Sequence, residues 1–147
     1  MTNSVVTSLL RINRQRMISL RRELTPYGYV GFMHLILIYT ARQPGASQEE
    51  IAAFYALDKA SVARDARRLE DAGHIRRRVN PDNRRQYQLF VTEAGEEMAE
   101  IIDETHRKFE RRLSANITRE DWAKLTELLA VAEENSRYVE RNRAGTC

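Results

Sequence analysis

The sequence has almost no cysteine: one in 147 residues, at position 147. A single terminal thiol excludes a disulfide framework and a thiolate metal cluster, and such a chain suits a reducing cytoplasm. Long apolar runs are missing too. The longest candidate, Val30 to Tyr39, is broken by His34 and falls well short of the roughly 20 residues a bilayer requires, so no membrane partner is expected. Arg11, Arg14 and Arg16 interrupt any apolar stretch near the start, so a secretory leader is not expected either. The chain also lacks internal repeats, a glycine-rich phosphate loop, metal-ligand spacing and a nucleophile–base–acid set. His34, His74 and His106 read as scattered over different elements. These absences argue against an enzyme and imply neither a cofactor nor a metal.

What is present is a globular composition, with 42% apolar and 31% charged residues. A single domain over residues 1–147 has room for a core that folds without staples. Net charge is only +3, but it is unevenly spread. From His74 to Phe90 five arginines (Arg76, Arg77, Arg78, Arg84, Arg85) face one acid, Asp82, a local +4 on a body that otherwise sums to −1. Such a patch is either a solvated charge run or the electrostatic footprint of a nucleic-acid surface.

Periodicity places the elements. Val6, Leu10, Met17, Leu20 and Leu24, with Asn13 filling the remaining place, mark one face of a helix over about 4–24. Thr25-Pro26-Tyr27-Gly28 stops it. A second helix, about Val30 to Arg42, is apolar on nearly every side and belongs in the core. Ser47 and Glu50 form a capping box that opens a short helix carrying Ile51, Ala52, Phe54 and Tyr55. Asp58 is a natural N-cap for the next helix. That helix has an inner stripe of Val62, Ala66 and Leu69, an outer face of Lys59, Ser61, Arg64, Asp65 and Arg68, and a stop at Gly73. The period then changes to two. Ile75 to Val79 and Gln86 to Val91 flank dense turn chemistry at Asn80-Pro81-Asp82-Asn83, giving a two-stranded hairpin with a basic tip. Thr92 caps a long helix with a stripe of Ala94, Met98, Ile101, Ile102, Thr105, Phe109 and Leu113. Thr118 starts a last one with Trp122, Leu125, Leu129, Ala132, Ser136 and Val139 in line, and residues 144–147 read as a frayed tail.

The expected fold is therefore mainly α with a small β-hairpin: a winged helix-turn-helix over residues 30–95, flanked by helices at 4–24 and 96–141. A helix fits the DNA major groove with its outer residues toward base edges, while arginines of a hairpin suit the adjacent backbone or minor groove. The motifs Ser47-Gln-Glu-Glu-Ile-Ala52, Ser61-Val-Ala-Arg64, Arg68-Leu-Glu-Asp-Ala-Gly-His-Ile75 and Val91-Thr-Glu-Ala-Gly95 resemble those of the multiple-antibiotic-resistance regulator (MarR) family. The flanking helices extend the resemblance over nearly the whole chain. It implies a transcriptional regulator, more often a repressor, that reads a pseudo-palindromic site in double-stranded DNA as a homodimer.

By that resemblance Lys59, Ser61 and Arg64 meet the major groove, and Arg68, one turn on, holds a phosphate. Arg77 either contacts a phosphate or pairs with an acid such as Glu70 or Asp71. Two positions depart from the family pattern. His74 replaces an apolar residue and reads as a tolerated surface change. Asn83 stands at the usual wing acid, with Asp82 one place earlier, so either orients the wing arginine, and Arg84 and Arg85 are both candidates for it.

The stripes on the first and last helices exceed what the central module covers. They either fold back onto it or pair with a second chain, and the resemblance favours the pair. It further implies a small aromatic or phenolic effector in a cleft near Tyr27, Tyr29, Phe32, Met33 and His34, residues that ordinary core packing would equally explain. The rival function is a winged-helix protein–protein module or anti-repressor without DNA readout, which calls for an acidic or apolar outer face where Lys59, Arg64 and Arg68 stand.

Overall fold

The computed structural model describes residues 4–143, with side chains as far as Arg137. The 144–147 tail, its cysteine and the side chain of Val139 lie outside what is described. The chain divides into two compact units, up to Phe109 and from Glu110 onward.

In the first unit α1 runs Val5–Leu24, with the Ser4 hydroxyl accepting from the amide of Thr7. A short 3-10 turn, Thr25–Tyr27, ends on left-handed Gly28. Helix α2 spans Met33–Arg42, three residues later than the apolar run suggests. Gly31, at φ 55°, bends the chain just before it. Helix α3, Gln48–Tyr55, opens with the full capping box: Ser47 accepts from the Glu50 amide and Glu50 accepts from the Ser47 amide. Ala56, left-handed at φ 53°, turns the chain into α4, Lys59–Asp71, whose N-cap Asp58 accepts from the Ser61 amide at 2.8 Å.

Strands β1, Ile75–Val79, and β2, Tyr87–Val91, pair antiparallel with Ile75 opposite Val91 and Val79 opposite Tyr87. The other edge of β2 is covered by the segment before α3, through Gly45 N–H to Leu89 O and Leu89 N–H to Ala46 O. Helix α5, Glu93–Leu113, follows at once. Ile36, Leu37, Ile51, Val62, Leu69, Ile75, Leu89 and Ile102 are all but inaccessible, so one core joins α2, α3, α4, the hairpin and α5.

Two glycines are fixed by space. A Cβ on Gly95 would stand 2.0 Å from the carbonyl oxygen of His74, and one on Gly31 would stand 2.5 Å from Oδ2 of Asp65. Asp65 itself corrects the sequence reading. It is fully buried rather than part of the outer face of α4.

In the second unit, left-handed Asn116 breaks the helix and the Thr118 hydroxyl accepts from the Asp121 amide to start α6, Arg119–Arg143. Among its described side chains none is buried, and Leu125, Leu128, Leu129 and Val131 are exposed.

Candidate nucleic-acid interface

The inner stripe of Val62, Ala66 and Leu69 seats α4 on the core and turns its other side to solvent. Lys59 is exposed and Ser61 half-buried. The Ser61 hydroxyl and amide hold the Asp58 carboxyl below the usual carboxylate range, so the cap keeps its charge. One and two turns on, Arg64, Arg67 and Arg68 line a shallow depression with Ala63, Asp71 and Arg77. Arg67 is not among the candidates that the sequence pattern singles out. Its place one helical turn after Arg64 is the signal in the sequence that points to it.

Not all these cations are equally free. The buried Asp65 carboxylate accepts from Arg68 at 2.8 Å and lies 3.5 Å from Nε of Arg64, and it also accepts the Phe32 amide at 2.8 Å. About half of each arginine side chain remains exposed. Of the two alternatives for Arg77, the ion pair with Glu70 is the one formed. Its guanidinium also lies 4.9 Å from the centre of the Tyr87 ring, which leaves little of it accessible. Arg78 rests 4.7 Å over Phe90.

The tip of the hairpin is organised by its asparagines. Asn80 Oδ1 accepts from the Asp82 amide at 2.9 Å and Asn83 Oδ1 accepts from the Arg85 amide at 3.2 Å. Among the described residues neither Asp82 nor Asn83 bonds to the side chain of Arg84 or Arg85, and both arginines are exposed. At the base, Thr92 donates its hydroxyl to Gly73 O at 2.6 Å, and its amide to His74 O at 3.1 Å. His74 is half-buried, stacked on Tyr29 and hydrogen-bonded to the Tyr29 hydroxyl at 2.8 Å through Nδ1. It is thus an internal contact of the wing base rather than a surface change. Burial pushes the Tyr29 hydroxyl well above its ordinary range, so it stays protonated.

A groove of about 420 Å³ lies between α1 and the segment leading into α2. Tyr29, Phe32 and His34 line it; Tyr27 sits exposed on the 3-10 turn and Met33 is in the core. Met17, Leu20 and Arg21 of α1 supply the facing wall. The histidines are not all scattered. His34 and His106 meet edge to face with ring centres 6.5 Å apart, and among the described residues their buried Nε2 atoms have no hydrogen-bond partner. Burial first, then the charge of Arg16 and the neighbouring His106, lowers His34 to about 4.

A model of the MarR family matches residues 32–87, the stretch from the start of α2 into β2. A crystal structure of MarR superposes with TM-score 0.84 at 31% identity, over 95% of both chains. The chain belongs to the MarR family. Among curated relatives of this MarR protein, the HTH-type transcriptional regulator BilQ of Clostridioides difficile is 28% identical over 80% of this chain and 79% of its own length. The putative MarR regulator of Listeria monocytogenes, solved with a 26-mer DNA, shares the fold at 21% identity and TM-score 0.84, over 91% and 89% of the two chains. The protein is accordingly a winged-helix, DNA-binding transcriptional regulator of the MarR family. Among the described residues no helix is long and apolar enough to cross a membrane.

Proposed function

We propose that this MarR-family regulator represses transcription from the cytoplasm, and that a small aromatic molecule releases it from a pseudo-palindromic operator. The observation that carries the DNA reading is the outward cluster of Arg64, Arg67 and Arg68 on α4, in the same unit as the exposed wing arginines Arg84 and Arg85. Lys59, Ser61 and Arg64 take the base edges, where a bidentate arginine–guanine pair contributes about 1–3 kcal/mol of discrimination. Arg67 and Arg68 hold phosphates, which add affinity without sequence information. Arg84 and Arg85 enter or flank the minor groove, on a turn that Asn83 shapes. Arg77 acts at second hand, holding the wing to α4 through Glu70.

Residues 30–95 form the reading head, and the helices at 4–24 and 96–141 make the two-fold interface. Two exposed apolar surfaces support that assignment: Val5, Val6, Leu9 and Leu10 on α1, and Leu125, Leu128, Leu129 and Val131 on α6. The groove at Tyr29, Phe32 and His34 is the effector site. Its size and apolar lining suit one aromatic ring, and Arg21 supplies a cation at the wall for a carboxylate.

Arg64→Ala combined with Arg84→Ala tests the interface directly. Operator affinity is expected to fall at least about 100-fold, since a base contact and a groove contact are lost together. Unchanged affinity in a gel-shift titration would contradict the assignment. In thermal melts, phenolic carboxylates that seat in the groove raise the melting temperature; no shift with any of a broad panel removes the effector reading.

A further inference from the structure

Asp65 is an unusual charge for its place. Its side chain is fully inaccessible, yet it sits on the helix that carries the cationic reading surface. A carboxylate in that position repels DNA unless it is neutralised, and burying it is costly unless its oxygens are satisfied. Three groups satisfy it: the Phe32 amide at the entry to α2, the Arg68 guanidinium at 2.8 Å, and Nε of Arg64 at 3.5 Å. Gly31 closes the other side so tightly that a Cβ would overlap Oδ2. The carboxylate is therefore fixed from below by the backbone of residues 31 and 32, and it fixes two arginines above.

We propose that Asp65 is a positioning residue for sequence readout, holding Arg64 and Arg68 in the orientation that meets the operator and anchoring that orientation to the start of α2. This rests on the assignment of Arg64 and Arg68 as DNA contacts. A free arginine on an exposed helix samples many rotamers, and each must be frozen on binding. A guanidinium already held by a buried anion is partly ordered beforehand, so less is lost when it docks. The carboxylate gives up some net attraction for DNA in exchange for a defined geometry.

The two effects have opposite signs, which makes the inference testable with Asp65→Asn. Asparagine keeps an acceptor for the Phe32 amide and removes the negative charge. Affinity would be measured for a palindromic duplex enriched from random DNA by the wild-type protein, and for the same duplex with its half-sites shuffled, alongside thermal melts. The expected result is a loss of about tenfold on the enriched duplex, the size of one well-placed contact, with shuffled-duplex affinity unchanged or raised. In an Arg64→Ala, Arg68→Ala background the same change would have no further effect on the ratio.

A parallel loss on both duplexes that tracks the melting temperature would overturn the inference, because it describes a purely structural role. A parallel gain would overturn it too, because it describes simple repulsion. If the double arginine variant itself binds both duplexes as the wild type does, the contact assignment fails instead, which is a separate result. Should Asp65→Asn not fold, Gly31→Ala presses on the carboxylate while keeping its charge. It is expected to lower the ratio of the two affinities, and an unchanged ratio in a folded variant would sink the inference.

Discussion

At the residue scale, the buried carboxylate of Asp65 and the neutral histidine pair His34 and His106 are not legible in the sequence, for one reason. Asp65 lies three residues after Val62 and four before Leu69, on the inner stripe of α4. Its spacing pointed inward and its charge pointed outward. Charge was the poorer guide, because the compensating groups, Phe32 and two arginines, come from the turn before α2 and the same helix face. His34 and His106 are 72 positions apart in sequence, and only the packing of α2 against α5 brings them together. The histidine pair has a consequence for stability. Folded His34 is held neutral, with its proton affinity lowered to about 4, and His106 is lowered by burial and by Arg16. The unfolded chain binds these protons near pH 6.5, so stability is fully present above that pH and is lost as pH falls toward 4. His34 contributes a slope of up to about 1.4 kcal/mol per pH unit in that window, and His106 acts in the same direction. Melting temperatures between pH 7 and 5 should therefore fall steeply in the wild type and less so in His34→Gln. Identical profiles for the two proteins would contradict the assignment.

At the scale of elements, local chemistry was legible because its partners lie within a turn. Ser47 with Glu50, Asp58 with Ser61, and Thr92 with Gly95 each cap a helix through neighbours three residues away, and this proximity is what a sequence displays. Gly73 ends α4 at φ 78°, where glycine alone is unstrained. The start of α2 was less legible, since Val30 to Phe32 continues the apolar pattern while Gly31 takes the backbone out of helical geometry. The wing base shows the same limit: that Tyr29 reaches His74 depends on a contact across 45 residues. The junction between wing and α5 rests on Gly95, with no room for a side chain against the His74 carbonyl. Gly95→Ala should cost about 1–3 kcal/mol, as overpacked sites do, and should show it as a lowered midpoint in urea with an unchanged slope. A midpoint equal to wild type would mean that the wing shifts freely against α5.

At the scale of the whole molecule, the single chain leaves large apolar surfaces in water. On α1 the exposed set includes Val6 and Leu10, and on α6 it includes Leu125 and Leu129. The sequence showed these as stripes of uncertain destination, because periodicity tells which residues share a face but not what covers the face. A second copy of the chain covers both in the proposed homodimer, and a two-fold protein sets the spacing of the DNA half-sites. Leu10→Glu combined with Leu129→Glu should shift the protein to monomer in sedimentation velocity and abolish tight operator binding. A dimer that survives both changes would place the interface elsewhere.

The central claim is that this dimer reads sequence. Selection of duplexes from random double-stranded DNA by the purified protein, at near-physiological salt, tests it most directly. The account predicts an enriched palindrome with half-sites about 10 base pairs apart, centre to centre. No enrichment, with binding that collapses as salt is raised, would show that the arginines hold phosphates without reading bases and would contradict it.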